Sequence, residues 1–220
     1  MPKPIRTFIA IELSQEIKTY LAAMQARLDD SVSITKPVVR WTNAKNVHLT
    51  LRFLGDTTSS QVTQLKPQLR SLAENHQPFS VAMPSHQSAD DDRAKPIGVF
   101  PNWQRPSIVW AGITGELDVL FALQVGTESV AQTLGFAAET RKFSPHVTIG
   151  RIKAGRRMSG EEKSALRMLG TQLRDYTARY TRQELWQIEP PPMKVSEFTL
   201  IQSQLRPSGP AYTPLERFKL

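Results

Sequence analysis

The sequence predicts an α+β fold, and three observations lead there. Strand-like segments follow one another across short turns rich in Pro, Gly and Asn, which points to antiparallel pairing. No strand opens into a Gly-x-Gly-x-x-Gly turn and there is no Walker loop, so the nucleotide cradles of doubly wound parallel sheets are not indicated. A tetrapeptide, His-x-Thr-x with an apolar residue at each x, occurs twice in strand-like contexts: His48-Leu49-Thr50-Leu51 and His146-Val147-Thr148-Ile149. One copy falls in each half of the chain, which suits two matched halves of one domain spanning residues 1–220.

The elements follow in order. Arg6 to Leu13 alternates as a strand, and Ser14 caps a helix whose apolar face is Ile17, Leu21, Met24 and Leu28, with Glu16 in its first turn. Val38 to Trp41 is a short strand; Val47 to Leu54 is a longer one that Gly55-Asp56 closes as a turn. Ser59 or Ser60 caps a second helix with Val62, Leu65, Leu69 and Leu72 on one face, and Pro67 implies a kink or a later start. Pro78 to Met83 is a strand, and polar Pro84 to Pro96, with Asp90-Asp91-Asp92, an exposed loop. Ile97 to Phe100 and Ser107 to Ile113 are strands separated by a Pro- and Asn-containing turn. Gly115 to Leu134 has helical spacing and Gly135 stops it. Pro145 to Ile152 is the strand with the second motif, and Ser159-Gly160-Glu161-Glu162 is a capping box that opens a helix reaching Tyr176 or beyond. After the rigid break Pro190-Pro191-Pro192, Val195 to Leu205 and Tyr212 to Phe218 form a closing pair of strands.

Composition bounds the chemistry. A chain of 220 residues, 40% hydrophobic, can bury a real core. With no cysteine there are no disulfides, thiolate nucleophiles, iron–sulfur clusters or zinc–cysteine sites, and a reducing cytosol is compatible. No apolar run has the length of a signal peptide or a membrane span. A formal charge of +8 favours a polyanion partner, nucleic acid above all.

On a strand, residues i and i+2 share a face. His48 and Thr50 therefore point to one side while Val47, Leu49 and Leu51 pack on the other, and His146 with Thr148 repeats the pattern. A single His-x-Thr in a strand is an ordinary structural pair; two copies in a chain with four histidines are far more specific. Two imidazoles flanking a phosphate supply a general base and a general acid for in-line displacement without a metal, because their ordinary pKa lies near 6.5. The threonine hydroxyls can donate to the non-bridging oxygens. His76 and His86 sit in polar stretches and read as solvated, and the four tryptophans read as packing residues, Trp103 the least clearly.

With Phe8-Ile9-Ala10-Ile11, Trp41, His48 to Gly55, Gly98 to Pro101, Val109 to Gly112 and Phe143 to Arg151, the chain resembles the two-histidine (2H) phosphoesterases. Within them it is similar to the RNA 2′,3′-cyclic phosphodiesterase, or 2′-5′ RNA ligase (LigT-like), family. The resemblance implies a bilobal fold with pseudo-two-fold symmetry, two antiparallel sheets flanked by helices around a central groove. It implies hydrolysis of RNA 2′,3′-cyclic phosphate ends, or of cyclic nucleotides, to 2′-phosphomonoesters, with no cofactor and no metal. By position His48 matches the proton donor to the leaving 3′ oxygen, His146 the acceptor from water, Thr50 and Thr148 the phosphate-holding threonines, Arg151 a phosphate contact and Phe53 an aromatic near the nucleobase. Strict alternation puts Arg151 and Phe53, each five residues past a histidine, on the far face; a bulge at Gly150 or an early strand end at Leu54-Gly55 would re-aim them. The stretch 154–192 reads as an extra helical element beside the groove, and Asp90 to Lys95 as a local insertion. A cytoplasmic monomer is expected. The same residues also suit an RNA-binding protein without turnover, or an RNA end-joining enzyme in which a hydroxyl replaces water.

Overall fold

The computed structural model describes residues 3–31, 39–85, 95–152, 159–181, 189–207 and 209–220. Its first half runs β1 (Ile5–Glu12), α1 (Gln15–Ser31), β2 (Val39–Trp41), a 3-10 turn (Ala44–Asn46), β3 (His48–Thr57), α2 (Ser59–Glu74), β4 (Phe79–Ala82) and β5 (Ile97–Phe100). The second half runs β6 (Ile108–Gly112), β7 (Thr114–Gly115), α3 (Leu117–Thr133), β8 (His146–Ile152), α4 (Gly160–Thr181), β9 (Met193–Val195), β10 (Glu197–Arg206) and β11 (Gly209–Lys219). The fold is α+β. The large antiparallel sheet has the order β11-β10-β1-β3-β8-β6-β5, with β2 also on β8, and a small sheet has the order β7-β4-β9.

The path repeats itself. Strand, helix, antiparallel neighbouring strand and helix occur as β1-α1-β3-α2 and again as β6-α3-β8-α4. Strands β4 and β9 then follow and pair with each other, and β5 and β10 join the edges of β6 and β1. The motif strands β3 and β8 meet at the centre, where Leu49 pairs with Val147.

The helices form where their apolar spacing and caps allow. Ser14 Oγ accepts from Ile17 N at 3.3 Å, and Ile17, Tyr20, Leu21, Met24 and Leu28 of α1 are buried. The cap of α2 is Thr58 rather than Ser59 or Ser60, in a reciprocal capping box with Gln61. Pro67 is tolerated inside α2 because it lies on the exposed side, so the helix neither starts late nor stops there. In α3 the buried residues are Leu120, Leu123, Thr127 and Ala131, whereas Val125 is exposed. At α4 the expected capping box is present: Ser159 N donates to Glu162 Oε2 at 2.8 Å and Glu162 N to Ser159 Oγ at 3.1 Å.

Three further expectations are corrected. Gly55-Asp56 does not close β3, because both residues continue the ladder with Thr7 and Arg6 of β1. Helix α4 is not an appendage; it follows β8 as α2 follows β3, and Leu166, Leu169, Leu173 and Tyr176 enter the main core. Pro84 and Pro96, the ends of the expected exposed loop, are buried, while Asp90 to Asp92, most of the expected insertion, His86 and Trp186 lie outside the described residues. Among the described residues no helix is long and apolar enough to cross a membrane.

Candidate active site

The sheet has two faces with different jobs. Leu49, Leu51, Val147 and Ile149 are buried in the main core against the helices. Since Leu49 and Val147 pair and share the helix side, His48, Thr50, His146 and Thr148 all point to the opposite side. All four are half-buried. A second, small apolar cluster of Phe8, Ala10 and Ile201, with Tyr212 against it, lies on this site face and floors it.

Each imidazole is fixed in the same way. His48 Nδ1 lies 2.8 Å from the carbonyl oxygen of Asn46, and His146 Nδ1 lies 2.7 Å from that of Ser144. A carbonyl only accepts, so Nδ1 carries the hydrogen in both rings and Nε2 is left as the atom for proton transfer. Each ring also rests on two aromatics. Phe8 and Tyr212 are 4.7 and 5.2 Å from the His48 centroid; Phe100 and Trp110 are 5.0 and 6.2 Å from that of His146. Trp110 thus packs beside the His146 ring, whereas Trp41 and Trp103 pack on the core. His76, expected in solvent, is half-buried and bonds through Nδ1 to the Leu72 carbonyl at 2.9 Å.

Burial pushes both site histidines below the ordinary imidazole value. Their carbonyl partners oppose this, and the Arg151 charge adds to the depression at both rings. Glu12, directly opposite His48 in the β1–β3 ladder, favours the imidazolium of His48. Its carboxylate is held by Thr199 Oγ1 at 3.1 Å and by Arg217 at 3.3 Å.

The two residues that simple alternation sent to the far face are brought back by matched β-bulges. In β3 the register with β1 jumps from Ala10↔Thr50 to Ile9↔Arg52, leaving Leu51 extra, and then runs Phe8↔Phe53. Phe53 therefore joins the face of Phe8 and Thr50, its ring 5.9 Å from Phe8 and 57% exposed. In β8 the register with β6 jumps from Trp110↔Thr148 to Val109↔Gly150, leaving Ile149 extra, and Arg151 then faces Ile108 on the site side. So β3 does not end early, and the second bulge lies beside Gly150, at Ile149.

Each bulge has a buried polar side chain beside it that the motifs do not announce. Gln25 of α1 donates from Nε2 to the Ile149 carbonyl at 2.7 Å and to the Thr42 carbonyl at 2.8 Å. It stands where β8 changes neighbours from β3 to β2. Arg52 pairs through Nε with Glu128 Oε2 at 2.5 Å and donates to the carbonyls of Phe53 and Ala137. Gln25→Leu should remove two hydrogen bonds, one of two to the Ile149 carbonyl and one to the part-buried Thr42 carbonyl, and cost about 1–3 kcal/mol in urea unfolding. A change of only a few tenths would mean that the bulge holds itself.

Comparison with known proteins converges on one family. Residues 11–110 match the model of the LigT like Phosphoesterase family, a stretch that includes the first motif. Similarity to curated proteins extends over nearly the full length, past residue 110. The RNA 2′,3′-cyclic phosphodiesterases of Methanothermobacter thermautotrophicus and Aquifex aeolicus are 27% and 28% identical to this chain, covering 98% and 99% of it and 99% and 98% of their own lengths. The chain is similar to the LigT-like phosphoesterase family. Solved structures agree on the LigT-like fold: a Thermus thermophilus protein aligns with a TM-score of 0.69 at 23% identity, covering 98% of both chains. Escherichia coli LigT complexed with 3′-AMP aligns with a TM-score of 0.67 at 24% identity, covering 99% of this chain and 98% of LigT.

Proposed function

We propose that this chain hydrolyses terminal 2′,3′-cyclic phosphates of RNA to 2′-phosphomonoesters, with no metal in the reaction. The observation that carries the reading is the pair of imidazoles on one face of adjacent strands, each with Nδ1 tied to a carbonyl and Nε2 available. Neutral His146 takes a proton from water as its oxygen attacks phosphorus; the P–O3′ bond breaks, and protonated His48 delivers its proton to O3′. Glu12 beside His48 supports the acid role there. Thr50 and Thr148 donate to the non-bridging oxygens, Arg151 balances the charge that develops, and Phe53 offers a face to the base. The same reading makes residues 1–220 one domain of two interlocked lobes, acting as a monomer in the cytoplasm.

The test is turnover of nucleoside 2′,3′-cyclic phosphates in the presence of chelator, with the 2′-phosphate as product. Loss of activity on chelation, restored by a divalent ion, would overturn the metal-free mechanism. The kcat/KM profile against pH should be a bell with both limbs on the acid side of the ordinary imidazole value, since burial depresses both rings. The acid limb reports loss of the base by protonation, the alkaline limb loss of the acid's proton. An optimum well above neutrality would contradict it.

A further inference from the structure

We propose that Arg40 forms, beside Arg151, a second phosphate site that holds the phosphate on the 5′ side of the terminal nucleotide. Strand β2 is short, but its facing is fixed. Val39 and Trp41 pack on the core, and a side chain at Gly150 would meet Val39 Cγ1 at 2.9 Å and the Trp41 ring at 3.0 Å. Trp41 Nε1 also bonds Asp29 Oδ1 of α1 at 2.8 Å. Arg40, between them, must point to the other side, the side of the histidines. There it is exposed and directly opposite Arg151 in the antiparallel ladder.

The ladder thus sets two arginines side by side on the site face, and guanidinium groups suit phosphate oxygens. Arg151 lies on the site face and acts electrostatically on both imidazoles and on Tyr212, as suits a contact to the phosphate in the proposed hydrolysis. The Arg40 guanidinium lies farther along, against the β10–β11 hairpin. Gly209, with φ 123°, leaves room for it: a Cβ there would stand 2.7 Å from Arg40 Nη2. The hairpin is held over this end by Asn46 Nδ2, which donates to the Pro210 carbonyl at 3.0 Å.

The chemistry of the substrate fixes which phosphate this is, given the proposed hydrolysis on which the inference rests. A chain that ends in a 2′,3′-cyclic phosphate has further phosphates only on its 5′ side. In the ribose, the base sits on C1′ beside C2′, and C5′, which carries the 5′ phosphate through O5′, is attached to C4′ beside C3′. Phe53 and Arg151 each lie three ladder positions, roughly 10 Å of strand, from the Leu49–Val147 pair and in opposite directions. With the cyclic phosphate between the histidines and the base towards Phe53, the 5′ phosphate is directed to the Arg40 end.

The test is equilibrium binding, which does not depend on turnover. A nucleoside 2′-monophosphate and the matching 2′,5′-bisphosphate are titrated into the wild type, Arg40→Ala and Arg40→Gln. The wild type should bind the bisphosphate roughly tenfold to a hundredfold more tightly than the monophosphate. Both variants should bring that ratio close to one. An unchanged ratio in both variants, or no preference in the wild type, overturns the site. Turnover of a nucleoside 2′,3′-cyclic phosphate by the wild type is measured alongside. If it is absent while the ratio behaves as expected, the hydrolytic reading fails and the Arg40 site stands.

Discussion

His146→Ala should lower kcat/KM on a nucleoside 2′,3′-cyclic phosphate by about 10²–10⁴, and His48→Ala by a similar factor. On the proposed mechanism the losses come from different halves of one proton-transfer sequence, so the variants should differ in how their residual rates depend on pH. Without the base at 146, the fall in rate on the acid side disappears; without the acid at 48, the fall on the alkaline side disappears. The Nδ1 contacts make this sharper than a simple activity loss. The carbonyls of Asn46 and Ser144 fix the same tautomer in both rings, so Nε2 is the atom that the proposed mechanism uses at each. His→Asn places an amide where Nδ1 was and should recover little activity. Full activity in either alanine variant would remove the two-imidazole mechanism, and a complete bell surviving in both would move acid and base elsewhere.

Glu128→Ala should destabilise the protein by about 3–5 kcal/mol, the largest single-site effect on stability that we expect. Arg52 is 8% exposed and Glu128 16%, and the carboxylate also accepts from the backbone N of Glu139 at 3.0 Å and from Gln132 Nε2 at 2.8 Å. Removing it leaves a guanidinium among the carbonyls of Phe53 and Ala137 with only the more distant charge of Glu139, itself bonded to Arg141. Urea unfolding at constant m measures the loss, and a shift below about 1 kcal/mol would show that α3 and β3 are joined by other contacts. Replacing both partners by apolar residues of similar volume should recover most of the stability, because a buried pair offsets its own desolvation only narrowly.

These two expectations differ in how visible their residues are in the sequence. His48 and His146 announce themselves through a repeated pattern whose meaning is local: on any strand, an i, i+2 pair shares a face. Arg52 belongs to the same parity as His48 and Thr50, and alternation would send it into the groove. It is buried instead, because the extra residue at Leu51 reverses the parity of all that follows until the second register shift at Leu54. Phe53 and Arg151 reach the groove for the same reason. Gln25 was hidden differently, since a glutamine in an amphipathic helix reads as a solvated residue until a broken ladder is found beneath it. Phe8 and Tyr212 sit in ordinary strand patterns, and only their approach to His48 gives them a part in the site.

By itself the sequence determined the α+β class, the apolar faces of α1 and α2, the caps of α1 and α4, the absence of thiol chemistry, and the two strands whose polar side carries imidazole and hydroxyl. Periodicity and capping act over a few residues, so they can be read along the chain. Only the tertiary structure decided that β3 and β8 are neighbours, that their polar sides coincide, and that a bulge in each returns Phe53 and Arg151 to that side. Pairing and register are set by contacts between residues far apart in the chain, and shifting a register by one residue exchanges the two faces of a strand.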